Sequence, residues 1–242
     1  MIPIAIQTLD RPDYFTKTLL SLERSGAFGQ CSNIHVFDCG SSKDSLARVE
    51  DLCLVYDLEL HKSPTGILRL NEGVVKMDAV LGEDFIRLED DILLCKNWYP
   101  YVVEIMNSLE RWEVINFYCL DANNLVKPTN INNVYRKGYT TFYGICLTAF
   151  RHGVAEKINR CKRETGLSFD IAIGLECGWY EENHFKISGI PKICTGSSTL
   201  CVHSPSLAQH IGKESIIGAP YNEAKDFVGE EFNALELLSG DK

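Results

Sequence analysis

Three consecutive acids, Glu89, Asp90 and Asp91, directly follow the largely apolar residues 85–88 (FIRL). Adjacent carboxylates repel one another, and their pKa values rise unless a cation or hydrogen-bond donors compensate the charge. Hard divalent cations such as magnesium and manganese take oxygen ligands, and proteins hold them with one or two carboxylates together with the phosphates of a substrate. The pattern therefore predicts either a divalent-metal site at the end of a strand or a solvated acidic turn.

Elements that alternate between strand and helix surround this cluster. Alternating and continuous apolar residues predict four strands, near residues 2–8, 34–37, 54–60 and 85–88. Pro12 is suited to open the helix after the first strand, and Ser41 supplies capping chemistry for the next helix. Strands separated by helices favour an α/β fold with a largely parallel sheet and helices on both faces. Ligands bind beyond the carboxyl ends of such strands, where Thr8, Asp38 and the acidic cluster fall.

The second half of the chain is less regular. Its predicted segments are a helix over residues 98–112, a strand over 114–120, a polar loop over 121–137, a strand over 139–150 and a helix over 153–163. The long loop indicates a functional or mobile connection. A chain of 242 residues with 45% hydrophobic residues can bury a core in one domain. We expect a single domain over residues 1–242 with an irregular carboxyl-terminal lobe.

The composition disfavours several classes of protein. No segment approaches the ~18 consecutive apolar residues of a membrane span, and the first residues lack the basic and apolar pattern of a secretory signal. The ten cysteines include no Cys-x-x-Cys pair, which disfavours zinc and favours reduced, mostly buried thiols in a cytoplasmic protein. The net charge of −9 argues weakly against a polyanionic partner.

Four short segments occur in an order and spacing similar to those of the nucleotide-sugar-dependent glycosyltransferases of the GT-A fold. They are residues 4–12 (IAIQTLDRP), 36–41 (VFDCGS), 71–73 (NEG) and 89–91 (EDD). The resemblance implies a nucleotide-binding half over residues 1–95 and a half for the donor sugar and the acceptor over residues 96–242. It also implies a hexosyltransferase that requires Mn²⁺ or Mg²⁺ and moves a sugar from a UDP-sugar to an acceptor hydroxyl, with inversion.

The resemblance implies roles for residues of the first half. Asp38 would accept a hydrogen bond from the uracil imide, and Thr8 and Arg11 would contact the nucleotide. As alternatives from the residues alone, Asp38 caps an ordinary turn and Arg11 is a surface charge. Asp90 would contact the ribose or the metal, and Asp91 would bind the metal that bridges the diphosphate.

Further candidates for binding the nucleotide sugar are Asn71, Lys76, Glu89 and Gly144. Asn71 and Glu89 belong to the matching segments. Lys76, one turn beyond Gly73, would face a phosphate, although an exposed helical lysine is the plainer interpretation. Gly144 would let the donor sugar approach the backbone, and the alternative is a β-bulge.

A segment near the carboxyl end, residues 205–212 (PSLAQHIG), resembles the Pro-Ser-Leu-x-Gln-His-x-Gly segment of the branching N-acetylglucosaminyltransferases and of small microbial or viral relatives. In GT-A enzymes a late histidine or aspartate commonly completes the metal site, which makes His210 the candidate. Lys213 and Ser215 are expected near the diphosphate. His203 lies close by in the sequence and competes for the metal role.

An inverting transferase needs a base that takes the proton from the acceptor hydroxyl. Asp170, within residues 168–174 (SFDIAIG), resembles the acidic position before an apolar helix in related transferases. An aspartate in that place can equally cap the helix. Glu176 is the reserve candidate, followed by Glu181 and Glu182.

Other functions stay open from the sequence. The acceptor is a glycan, a protein, a metabolite or a hydroxymethylated DNA base, and in the last case the basic run over residues 151–163 would face the DNA. A nucleotidyltransferase is expected to show a glycine-rich loop after the first strand, whereas residues 7–10 (QTLD) contain no glycine. A non-catalytic nucleotide-sugar-binding module would not need both Asp91 and His210.

Overall fold

The position of the acidic cluster is set by the strands that flank it. The strands are described from a computed structural model. The structure describes residues 1–31, 33–63, 70–120, 125, 127–136, 144–179, 198–213 and 223–239, without the side chains of residues 70–72. The strands are β1 (Ile4–Thr8), β2 (Ile34–Asp38), β3 (Glu59–Lys62), β4 (Phe85–Glu89), β5 (Ile92–Leu94), β6 (Val114–Asn116), β7 (Val134–Tyr135), β8 (Leu147–Phe150), β9 (Leu200–His203) and β10 (Ala208–His210).

Helices connect most of these strands. They are α1 (Pro12–Arg24), α2 (Lys43–Val55), α3 (Leu70–Leu81), α4 (Trp98–Ser108), α5 (Val154–Thr165), α6 (Phe169–Glu176) and α7 (Glu236–Ser239). The alternation predicted for the first half is confirmed, and Pro12 occupies the first turn of α1. The third strand begins at Glu59, later than predicted, because α2 continues to Val55. Leu54 and Val55 are exposed, so their apolar character did not mark a buried strand.

Eight strands among the described residues form one sheet in the order β3-β2-β1-β4-β8-β6-β9-β7. The strands β3, β2, β1 and β4 are mutually parallel, whereas β8 is antiparallel to both β4 and β6. Thr8 pairs with Asp38, and Gln7 pairs with Glu89. The carboxyl ends of three neighbouring strands therefore meet at one edge of the sheet, as the α/β prediction requires.

Buried side chains cover both faces of the sheet. Ile4 and Ile6 of β1 belong to a core with residues of α1, α2 and α4. Ala5 belongs to a second core with residues of α3, α5 and α6. Because successive strand residues point to opposite faces, the two cores lie on opposite sides of the sheet. The predicted arrangement of helices on both faces is confirmed.

A second sheet of two strands lies beside the acidic cluster. It consists of β5 and β10, which are antiparallel, with His210 opposite Ile92 and Gln209 opposite Leu93. The backbone N–H of Ile211 also donates to the carbonyl of Asp91 at 2.8 Å. This pairing joins the acidic segment to residues from near the carboxyl end of the chain.

The second half departs from its predicted segments in length. The strand predicted over residues 114–120 ends at Asn116, and the described part of the strand predicted over residues 139–150 is β8, with residues 139–143 outside the described residues. The helix predicted over residues 153–163 is confirmed as α5. None of the helices in the described part of the chain has the length and apolar character that a bilayer span requires.

The cysteines follow the expected reduced state with one exception. Eight described cysteines are free, and six of these are buried. Cys161, in α5, is disulfide-bonded. The expectation of reduced thiols is therefore wrong for Cys161. Cys161 belongs to no Cys-x-x-Cys pair, so the spacing of the cysteines does not mark it for a disulfide.

Candidate functional site

His210 reaches the acidic cluster through the pairing of β10 with β5. Asp91 precedes β5 by one residue, and His210 is the last residue of β10. The imidazole Nε2 of His210 lies 3.0 Å from the carboxylate Oδ2 of Asp91. The two side chains proposed as metal ligands are thus in contact, although they are far apart in the sequence.

Glu89 joins this pair. Ligand atoms of Glu89, Asp91 and His210 all lie within 4.8 Å of one another. Glu89 is half-buried, and its carboxylate accepts hydrogen bonds from Arg87 Nη2 at 3.2 Å and from Cys146 Sγ at 3.3 Å. The sequence reasoning assigned Glu89 to the nucleotide sugar, whereas the structure places it with the metal candidates. Two carboxylates and an imidazole are donors that suit a divalent ion such as manganese.

Arg11 compensates the charge of the two buried aspartates. Its Nη1 contacts Oδ2 of Asp91 and its Nη2 contacts Oδ1 of Asp90. Both aspartate side chains are fully buried, while 19% of the Arg11 side chain is exposed. Hydrogen bonds between a guanidinium and ionised carboxylates are charge-assisted and stronger than those between neutral groups. Arg11 is therefore part of the site and not a free surface charge.

Asp90 is turned into the protein. Its Oδ2 accepts hydrogen bonds from Thr8 Oγ1 at 2.8 Å and from the backbone N–H of Leu9 at 3.4 Å. Burial raises the pKa of Asp90 to about 7, against the opposing effect of Arg11. Because the side chain is buried and both oxygens are engaged, Asp90 holds Thr8 and Arg11 in place. The contact of Asp90 with a ribose or a metal stays a prediction.

The charge on Asp91 is set by its partners. Burial alone raises the pKa of Asp91, but the hydrogen bond from His210 and the charge of Arg11 outweigh it and bring the pKa below its usual range. Burial alone lowers the pKa of His210, and the contact with Asp91 reverses this and raises it. Asp91 is therefore ionised at neutral pH, as a metal ligand must be.

One atom of the cluster fits a cation directly. Oδ1 of Asp91 is buried and accepts no hydrogen bond from the described part of the protein. A buried carboxylate oxygen in this condition is costly unless another group binds it. This oxygen lies beside the carboxylate of Glu89 and the imidazole of His210. Together the three groups are suitable ligands for a divalent ion.

Gly212 is the last residue of the segment 205–212 (PSLAQHIG), and no role for it is predicted from the sequence. A Cβ on Gly212 would lie 1.9 Å from Oδ2 of Asp91 and 3.2 Å from Nη1 of Arg11. No side chain fits there, so glycine is required for the backbone after His210 to pass Asp91. The Pro-Ser-Leu-x-Gln-His-x-Gly pattern carried this signal in its last position.

The residues next to Gly212 are partly described. The backbone N–H of Lys213 donates to Tyr14 Oη at 3.3 Å, and the residue is exposed beside α1. Ser215 lies outside the described residues. The positions of these two residues relative to a diphosphate stay a prediction.

Asp38 forms a turn at the end of β2. Its Oδ2 accepts hydrogen bonds from the backbone N–H groups of Gly40 at 3.0 Å and Ser41 at 3.2 Å, and the residue is buried. The capping alternative is therefore present. A carboxylate offers about four acceptor positions, so the turn leaves capacity for a further donor such as a uracil imide.

Lys76 and Asn71 belong to α3. Nζ of Lys76 donates to the carbonyl of Lys62 at 3.1 Å and to Ser63 Oγ at 3.4 Å, at the carboxyl end of β3. Lys76 thus lies at the same edge of the sheet as Asp38, although it is bonded to the protein. Asn71 has a described backbone in α3, and its side chain lies outside the described residues.

Asp170 contacts the loop before β8. Its Oδ2 accepts a hydrogen bond from the backbone N–H of Gly144 at 3.0 Å. Gly144 has a φ of +78°, and a Cβ there would lie 2.9 Å from Cε1 of Tyr118, so both backbone and space require glycine. Burial raises the pKa of Asp170, and the charge of Glu89 raises it further, which links Asp170 electrostatically to the acidic cluster.

The capping alternative for Asp170 does not describe this geometry. Ser168 occupies the N-cap position of α6, and Asp170 lies in the first turn. Glu176 is at the other end of α6, where its carbonyl accepts a hydrogen bond from the N–H of Ser198 at 3.4 Å, before β9 begins. The structure does not bring Glu176 to the acidic cluster. Glu181 and Glu182 lie outside the described residues.

His203 has a separate role. It is fully buried, its Nε2 lies 2.7 Å from Tyr101 Oη, and its Nδ1 lies 2.7 Å from the carbonyl of Pro205. Burial lowers the pKa of His203 to about 4. Both ring nitrogens are engaged within the core, so the structure brings His210 and not His203 to Asp91.

Comparison with known proteins gives the fold. No protein-family model and no curated protein matches the sequence. The crystal structure of GalNAc-T7 with UDP, GalNAc and Mn²⁺ is similar with a TM-score of 0.60 and 12% identity, over 98% of this chain and 47% of that one. The crystal structure of a fragment (residues 1–349) of TarS from S. aureus is similar with a TM-score of 0.55 and 12% identity, over 88% of this chain and 60% of that one.

These likenesses support a GT-A fold for the chain. The chain spans about half of the GalNAc-T7 structure (47%) and 60% of the TarS fragment. At 12% identity the likeness concerns the fold alone. An activity has to be argued from the side chains of the site.

Proposed function

We propose that the protein is a metal-dependent glycosyltransferase that moves a sugar from a UDP-sugar to an acceptor hydroxyl, with inversion at the anomeric carbon. The observation that carries the proposal is the contact of Asp91 with His210, with Glu89 beside them, at the carboxyl edge of the sheet. The fold similarity to a structure that contains UDP, GalNAc and Mn²⁺ supports it. Mn²⁺ and Mg²⁺ are both compatible with the donor set.

Glu89, Asp91 and His210 would hold the cation. When bound, such an ion neutralises the charge that develops on a departing diphosphate without any proton transfer. In its absence Arg11 supplies positive charge beside both carboxylates, and it helps to keep Asp91 ionised. Asp90 fixes Arg11 and so acts as a positioning residue.

Residues at the strand ends would hold the donor. Asp38 has acceptor capacity beyond its turn and would accept the uracil imide N–H, which distinguishes uridine from cytidine by donor pattern. Lys76 would supply positive charge near the nucleotide. Asn71, Lys213 and Ser215 are proposed to contact the donor on the family resemblance alone.

Asp170 would take the proton from the acceptor hydroxyl as its oxygen attacks the anomeric carbon. The hydrogen bond from the N–H of Gly144 fixes the orientation of the Asp170 carboxylate. Its raised pKa moves the carboxylate closer to the operating pH, which favours a general base.

The proposed setting is the cytoplasm, which the eight free cysteines of the described residues support and the disulfide of Cys161 opposes. The acceptor is not assigned. The basic run considered for DNA is partly engaged within the protein, since Arg151 lies over the ring of Trp112 at 4.3 Å and Arg163 bonds Glu156 at 2.8 Å.

A panel of nucleotide sugars tests the proposal. The protein is incubated with Mn²⁺ and each sugar nucleotide, including UDP-GlcNAc because residues 205–212 resemble the branching enzymes, and release of nucleoside diphosphate is measured with water as the acceptor. We expect one UDP-sugar to be hydrolysed fastest, EDTA to abolish release, and Asp91→Asn to remove it. Asp51→Asn, at an exposed position of α2, is the matched control and is expected to keep the activity. Equal release with the metal chelated would overturn the metal assignment.

A further inference from the structure

A second group of metal-binding side chains lies at the edge of the central sheet. His35 of β2 is the register partner of Glu59 of β3, and His61 follows Glu59 by two residues. Because alternate residues of a strand share a face, the three side chains emerge on the same side of the two strands. No sequence motif marks this group, since the contact depends on how β2 and β3 pair.

The three side chains converge on one point. Nδ1 of His35 lies 3.1 Å from Nε2 of His61 and 3.2 Å from Oε2 of Glu59, and Nε2 of His61 lies 3.5 Å from Oε1 of Glu59. A tetrahedral ion with bonds of about 2.0–2.1 Å separates its ligand atoms by about 3.3–3.4 Å. The two nitrogens are 3.1 Å apart, close to this separation, and they lie 3.2 Å and 3.5 Å from the two different oxygens of the Glu59 carboxylate.

The surroundings hold the imidazoles and leave one side open. The His35 and His61 side chains are 10% and 17% exposed, whereas the Glu59 side chain is 61% exposed. The ring of Phe37 stacks on His61 with a centroid distance of 4.5 Å, which restricts its orientation. An ion held by three protein ligands would find a water molecule as its fourth ligand on the exposed side.

The donor set selects the kind of ion. Two imidazoles and one carboxylate are ligands that zinc prefers, in contrast to the oxygen-rich Glu89, Asp91 and His210 group. Among the charged neighbours, Glu83 acts on His35 and Lys76 acts on His61. When both imidazoles are neutral, the carboxylates of Glu59 and Glu83 outnumber the ammonium group of Lys76. The net negative charge favours the binding of a cation.

We propose that His35, Glu59 and His61 bind a zinc ion that ties the edge strand β3 to β2. This site shares no residue with the acidic cluster and does not depend on the proposed transferase activity. The sequence-based argument against zinc rested on cysteine spacing and does not apply to it. In the competing description, the three residues form only an imidazole–imidazole hydrogen bond and an ion pair.

Zinc binding to the full chain tests the proposal. Protein stripped with a chelator is dialysed against Zn²⁺ alone, and bound zinc and the thermal unfolding temperature are measured. The work is done in an Asp91→Asn background, so that the other candidate site is impaired. His61→Gln and Glu59→Gln each remove one ligand, and His152→Gln replaces a surface histidine outside the group.

We expect the Asp91→Asn protein to bind zinc and to unfold at a higher temperature when zinc is present. His61→Gln and Glu59→Gln should weaken binding by about tenfold or more and remove the thermal shift, while His152→Gln retains both. If His61→Gln fails to fold, the result for Glu59→Gln tests the proposal, because a substitution of the largely exposed Glu59 side chain should leave the fold intact. Unchanged zinc affinity in Glu59→Gln, or loss of zinc in Asp91→Asn alone, would overturn the proposal.

Discussion

Gly212 lies so close to Asp91 that a Cβ on the glycine would be 1.9 Å from the carboxylate Oδ2. The same carboxylate contacts His210 and Arg11. The backbone at Gly212, two residues after His210, therefore packs directly against Asp91. We propose Asp91 and His210 as ligands of the same metal ion.

Gly212→Ala should displace Asp91 or the chain after His210, because the added methyl group has no space. We expect the affinity for Mn²⁺ to fall by about tenfold, as for other groups that orient a metal ligand. Isothermal titration of Mn²⁺ in the presence of UDP measures the change. Asp51→Asn, at an exposed position of α2, is the comparison. Equal losses in both variants would count against a specific role for Gly212.

Arg11→Gln should destabilise the metal-free protein, because it leaves the buried Asp90 and Asp91 without their counter-charge. The expected cost is roughly 3 kcal/mol, as for other buried ion pairs that lose one partner. Mn²⁺ should restore much of this loss if it binds the same carboxylates. Thermal unfolding in EDTA and in Mn²⁺ gives both values. A variant that Mn²⁺ stabilises no more than it stabilises the wild type would contradict this account.

Asp90 should make the stability of the metal-free protein fall with rising pH. Its pKa is raised to about 7 in the folded state, so the folded protein binds a proton that the unfolded chain has already released. This contribution is fully present below the ordinary aspartate pKa of 3.8 and is lost as the pH rises through about 7. Denaturant unfolding between about pH 5.5 and about pH 8.5 should show the decline. Asp90→Asn, which cannot ionise, should flatten it, and an unchanged slope would show that another group is responsible.

Asp170→Asn should slow sugar transfer by about 100-fold or more while UDP-sugar binding is retained, because it removes the base and keeps the size of the side chain. In the wild type, transfer should rise with pH through the raised pKa of Asp170, since the ionised form is the base. Initial rates against pH and binding titrations separate the two effects. Asp51→Asn serves as the control, and a transfer rate in Asp170→Asn equal to that of the control would assign the base elsewhere.

The first half of the fold was accessible from the sequence because its signals are local. The apolar pattern of β1 and β4, Pro12 at the start of α1 and the acidic cluster after β4 each have a physical meaning within a few residues. Parallel pairing then places Thr8, Asp38 and Glu89 at one edge without further information. The position of Glu89 beside Asp91 and His210 was missed, because it depends on the pairing of β10 with β5.

The remainder depends on contacts between distant segments. The family motif suggested His210, but only the register of β10 with β5 shows how it reaches Asp91. His203 competes with His210 for the metal role in the sequence. In the structure His203 is buried and bonded to Tyr101, whereas His210 contacts Asp91. The grouping of His35 with His61 similarly follows from strand pairing.

The most direct test of the central claim is the binding of Mn²⁺ in the presence of UDP. Wild type, Asp91→Asn and His210→Gln are titrated, and circular dichroism confirms that each variant is folded. We predict that the wild type binds one Mn²⁺ and that each variant loses about tenfold or more in affinity. Folded variants that bind Mn²⁺ as tightly as the wild type would contradict the shared metal site.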